Sequence, residues 1–139
     1  ARMSDVATIL NNLGALLAEM GRLEEARGMF DRALLIYEKL LAMDPENEAR
    51  MSDVATILNN LGALLAEMGR LEEARKRYER ALEIRRDLLR RDPESKVRIS
   101  WVITTLNNLR NLLYRMSRPE EALSILREVE KDLLRVIDL

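Results

Sequence analysis

Apolar residues recur at three- and four-residue steps along most of the chain. Val6, Leu10, Leu13 and Leu17 form one such series, and Ala26, Phe30, Ala33 and Leu40 another. This is the period of an amphipathic α-helix that packs one side against a core. Gly21-Arg22 separates the two runs, as a helix C-terminus followed by a tight turn would. Asp44-Pro45-Glu46 marks the next boundary. Asp44 is expected as a helix N-cap, Pro45 as the first helical residue and Glu46 as a favourable charge at the positive helix end. Nowhere does the pattern alternate as a strand would. It predicts an all-α chain of about six helices, arranged as antiparallel pairs.

The pairs repeat. Residues 1–27 and 49–75 are identical letter for letter at a shift of 48, and a weaker copy follows at the same shift. In that copy Asp92-Pro93-Glu94 repeats Asp44-Pro45-Glu46, Leu106-Asn107-Asn108-Leu109 repeats Leu58-Asn59-Asn60-Leu61, and Glu120-Glu121-Ala122 repeats Glu72-Glu73-Ala74. A fixed period of this size marks a solenoid, in which each unit buries its apolar face against its neighbours. The expected organisation is one repeat domain with units at 1–48, 49–96 and 97–139, the last an atypical C-terminal cap. Identity extends to positions such as Glu19/Glu67 and Arg22/Arg70, which core packing does not constrain. It marks either a very recent duplication or an engineered, consensus-type repeat.

Composition narrows the chemistry. The chain has no Cys and no His, which removes thiol nucleophiles, histidine bases, Cys/His zinc sites and disulfides together. Adjacent acids such as Glu24-Glu25 diverge on a helix, so no catalytic, metal or cofactor site is expected. A formal charge of −1 argues against a nucleic-acid partner. No apolar run reaches about 18 residues, so no membrane span is expected, and no signal-peptide pattern opens the sequence. A cytoplasmic location is the default.

Leu10-x2-Leu13-Gly14-x2-Leu17, then Gly21, Ala26-x3-Phe30 and Ala33, resembles the tetratricopeptide repeat pattern. The second unit matches through Leu58, Leu61, Gly62, Leu65, Gly69, Ala74, Tyr78 and Ala81. The motif is most similar to the longer repeats of the kinesin light chain kind. It departs from the ordinary family in its period of 48 against about 34 residues, in the displaced Pro45, and in unit three. There Arg110 and Ser117 stand for glycines, and Pro119 stands for Leu. The resemblance implies a solenoid in which Gly14 and Ala26 allow close helix approach while Phe30 fills the space between.

It also implies that first helices line a concave groove able to grip an extended peptide or a partner helix. Asn11, Asn59 and Asn107, with Asn111 and Tyr114, stand at groove positions. An asparagine at one place in three units offers a donor and an acceptor per rung, which suits peptide backbone. The alternative is that these asparagines join neighbouring helices. Trp101 beside Ile99 and Val102 is expected to pack in the core or cap rather than to anchor a ligand. Arg77, Arg80, Arg85, Arg86, Arg90 and Arg91 alternate with Glu79, Glu83 and Asp87, which predicts a solvated, salt-bridged face with pairs such as Asp87–Arg91.

The sharpest contrast lies between the second helices of units one and two. Gly28, Leu35 and Ala42 stand where unit two has Lys76, Glu83 and Arg90, and Met29 and Met43 where it has Arg77 and Arg91. A helix apolar on both sides is either buried on both sides or adhesive. The last helix is also broadly apolar, through Leu123, Leu134 and Ile137 among others. Two such surfaces predict homo-oligomerisation, as a two-fold dimer or a head-to-tail ring; the alternative is that they pack against further repeats of a longer array. The expected function is a non-catalytic protein–protein interaction scaffold, with a peptide-binding adaptor as the alternative.

Overall fold

The computed structural model describes residues 2–137, with backbone alone at 136. Six helices follow one another: α1 Arg2–Glu19, α2 Leu23–Met43, α3 Glu48–Glu67, α4 Leu71–Arg91, α5 Lys96–Arg115 and α6 Pro119–Ile137. There is no strand among the described residues. Each odd-numbered helix packs on the one that follows, and α2 and α4 pack on the first helix of the next unit. The result is a solenoid of three helix pairs. Its interior is two clusters, one joining units one and two around Phe30, Leu58 and Leu61, the other joining units two and three around Tyr78, Leu109 and Leu113.

The turn inside each pair is a Schellman motif. Arg22 N–H donates to the Leu17 carbonyl (2.9 Å) and Gly21 N–H to that of Ala18 (3.0 Å), with Gly21 at φ +79°, where a side chain is strained. Gly69 repeats the geometry at φ +79°, and Ser117 holds it at φ 61°. Its left-handed backbone is the one described non-glycine exception. Ser117→Gly is expected to stabilise the fold by about 0.5–1 kcal/mol, since the strain relieved exceeds the entropy that glycine adds to the unfolded chain. A urea titration reads this directly, and an unchanged or lower midpoint would refute it.

Between pairs the structure corrects the expected boundary. Asp44 closes α2 rather than opening α3: its N–H donates to the Leu41 carbonyl. Asp44, Pro45, Glu46 and Asn47 form a turn in which Asn47 N–H reaches the Asp44 carbonyl (3.0 Å), the place where Pro45 presets the second turn residue. The N-cap is Asn47, whose Oδ1 accepts from Arg50 N–H (3.1 Å). Ser95 does the same for Arg98 N–H (3.2 Å).

Close approach within a pair depends on Gly14 and Gly62. A Cβ on Gly14 would sit 2.7 Å from Phe30 Cε1, and one on Gly62 2.6 Å from Tyr78 Cε1. An aromatic ring therefore lies flat against bare helix backbone in units one and two. Unit three has Arg110 and Leu126 at these two places, and α5 and α6 meet less closely than the other pairs.

Candidate interaction surfaces

The groove positions divide once placed. Asn11 Oδ1 accepts from Asn60 Nδ2 (2.9 Å). Asn59 Oδ1 accepts from Asn108 Nδ2 and from Thr105 Oγ1, both at 3.3 Å. At two rungs the acceptor is thus held between first helices. Asn60 and Asn108, the donors, were not singled out in the sequence, although each follows a ladder residue directly. Asn107 and Asn111 are exposed and Tyr114 stands well clear of the surface. Asn111, Asn108, Arg115 and Ala66 line a cleft of about 180 Å³ between α3 and α5, floored by Tyr78 and Leu112. Arg115 leans across it to donate to the Ala66 carbonyl (3.0 Å).

The arginine stripe of α4 joins units as well as meeting solvent. Arg86 reaches Asp132 (2.8 Å) and Glu128 (3.4 Å) of α6, Arg91 reaches Glu46 (3.0 Å), and Arg80 pairs with Glu38. Asp87–Arg91 forms at 3.4 Å. Arg85 departs from the expected solvated face. It is 8% exposed and donates to Thr105 Oγ1 (2.6 Å) and the Trp101 carbonyl (3.3 Å). Burial pushes its guanidinium pKa down. In unit one its counterpart is Tyr37, whose hydroxyl hydrogen-bonds Thr8 (3.1 Å). Trp101 is partly buried.

The apolar positions on the second helices fall in three places. Gly28, Leu35 and Ala42 are exposed on α2. Leu35 is 55% exposed although apolar. Met29 is partly buried against the first core cluster, while Met43 is the most exposed large apolar side chain described, at 78%. Leu123, Leu134 and Ile137 are exposed on α6. The α2 and α6 positions do not meet within one chain, since those two helices make no contact.

A fourth apolar surface went unread in the sequence. Val6 and Leu13, read as interior from their spacing, are 47% and 43% exposed. With Met3, Ile9, Leu16 and Met20 they form a bare stripe along α1. In α3 the identical residues are buried: Val54, Leu61, Met51, Ile57 and Leu64 are all at or below 7% exposed. The letters alone hold no signal of this, since they are identical; unit one lies on this face of α3, whereas the same face of α1 is open among the described residues.

Stacked helix pairs with an asparagine-lined cleft and bare apolar faces define a helical-repeat interaction module. The chain belongs to the tetratricopeptide repeat family, whose model matches residues 6–45 and 54–94. That match covers units one and two and stops short of the atypical third. Among solved structures the crystal structure of BtubC (BKLC) from P. vanneervenii is similar, with 26% identity and a TM-score of 0.74 over 96% of this chain. This agrees with repeats of the kinesin light chain kind. The chain spans about half of that protein's length (49%). No curated protein matches it. Among the described residues no helix is long and apolar enough to cross a membrane.

Proposed function

We propose that the chain is a non-catalytic protein-interaction scaffold whose partner is a further copy of itself, met through apolar helix surfaces. The observation that carries this is the exposure of Leu35 and Met43 at places where unit two carries Glu83 and Arg91. Positions of a second helix that face water are expected to carry charge, as they do in unit two. In unit one they do not. Gly28 and Ala42 leave room for close approach beside Leu35, and Leu123, Leu134 and Ile137 supply a second apolar surface. The preserved identity of units one and two, surface letters included, supports a consensus-type, engineered repeat.

Light scattering at micromolar concentration tests the proposal. The expected result is a mass above the 16.1 kDa of one chain. A single 16.1 kDa species would overturn it and favour the second reading, a peptide-binding adaptor working through the α3–α5 cleft. That reading is supported by Asn111 and Asn108 converging with Arg115 there.

A further inference from the structure

We infer that Arg85 and Thr105 form a matched polar pair that fixes which helix stacks on α4, admitting α5 and turning away a helix with the letters of α1 or α3. The observation behind it is a paired exchange between the two junctions of the solenoid. Arg85 of α4 is buried and donates to Thr105 Oγ1 (2.6 Å) and to the Trp101 carbonyl (3.3 Å), both on α5. One unit earlier the same two places hold Tyr37 and Ile57, which are buried in the first core cluster. Both members change together, from an aromatic with an aliphatic to a guanidinium with a hydroxyl.

The chemistry explains why they must. A guanidinium has N–H donors and no acceptor, and it keeps its charge when buried. Its two acceptors here are neutral oxygens. The Thr105 hydroxyl in turn donates to Asn59 Oδ1 (3.3 Å), which also accepts from Asn108 Nδ2 (3.3 Å). A run of hydrogen bonds through α4, α5 and α3 thus holds the cation. Tyr37 needs none of this, because its hydroxyl meets Thr8 of its own unit (3.1 Å). With isoleucine in place of Thr105, Arg85 would keep one backbone carbonyl and lose its nearer acceptor. Stranding a buried charge in this way costs more than the net worth of the bond removed.

Such a device answers a problem that the duplication creates. Chains of like repeats misassemble when one unit stacks on the wrong neighbour. Apolar contact does not tell the first helices apart here. Val102, Leu106, Leu109, Leu112 and Leu113 of α5 stand at the places of Val54, Leu58, Leu61, Leu64 and Leu65 of α3, and all ten are buried. Thr105 departs from this agreement: its place holds Ile9 in α1 and Ile57 in α3. A buried polar pair supplies the discrimination that matching apolar faces do not, at some cost in stability.

The test is a pair of reciprocal exchanges in the full chain, read by urea unfolding. Thr105→Ile is expected to lower the folding constant roughly thirtyfold, and Thr105→Ser, which keeps the hydroxyl, by much less. In an Arg85→Tyr background the preference inverts, and isoleucine at 105 becomes the more stable choice. Thr56 stands ready there for the new hydroxyl, as Thr8 does for Tyr37. The mirror exchange at the first junction, Tyr37→Arg, is expected to be as costly and to be partly recovered by Ile57→Thr. Additive losses at either junction would overturn the pairing. So would a Thr105→Ile chain as stable as its parent, or a Thr105→Ser chain as damaged as Thr105→Ile. Should Thr105→Ile not fold at all, the chain carrying Arg85→Tyr and Thr105→Ile together still decides. A helical, cooperatively unfolding product supports the pair, and an unfolded one overturns it.

Discussion

Leu61→Ala is expected to lower the unfolding free energy by about 3 kcal/mol, and Leu13→Ala, the same change in the same local sequence, by about 1 kcal/mol or less. The two leucines share every neighbour over the 27 duplicated residues. Helix propensity and local unfolded-state structure therefore cancel in the comparison. What differs is the surroundings: Leu61 is fully buried at the junction of units one and two, and Leu13 is 43% exposed. Truncating Leu61 removes its burial and leaves a cavity between helices that cannot close without moving a whole unit. Truncating Leu13 removes contacts on one side only. Urea unfolding of both variants, at a dilution where the chain is monomeric, measures the difference. Equal costs would mean that the two units do not stack as described.

The second large effect is alkaline. Burial pushes the Tyr78 hydroxyl from 10.0 up to about 12; the ring lies flat on Gly62 at 4% exposure. The folded chain thus keeps this proton at a pH where the unfolded chain has released it. The stability is fully present below pH 10 and is lost as pH rises toward 12, amounting to about 2–3 kcal/mol for a shift of this size. Unit one supplies the control, since Phe30 occupies the same place without a titrating group. Tyr78→Phe should flatten the difference between urea midpoints at about pH 9 and about pH 11.5. Lysine and arginine titrate in parent and variant alike, so only the difference between the two is diagnostic. A variant that loses as much stability as its parent would place the alkaline sensitivity elsewhere.

Much of the fold was legible along the chain because it depends on short-range pattern. The three- and four-residue spacing, the turn at Gly21 and Gly69, and the shift of 48 together define six helices in three pairs. The small residues at Gly14 and Gly62 mark where an aromatic ring meets helix backbone. Boundaries were less legible. Asp44-Pro45-Glu46 has the residues of a helix start, yet Asn47 caps α3, since the side chain one residue before the helix is the one that reaches its free N–H groups.

Tertiary structure alone decided the surfaces. Arg85 has the letters of a solvated stripe but turns inward to Thr105, because its position faces α5 rather than water. Asn11 and Asn59 carry groove chemistry, yet Asn60 and Asn108 of the following units take their acceptors. The duplicated residues show the limit most plainly. Val6 and Val54 have the same neighbours in sequence and the same helical conformation, yet one is 47% exposed and the other fully buried. Local pattern fixes which side chains share a helix face, while burial of that face depends on whether another helix lies within a few ångströms of it, a relation between residues tens of positions apart.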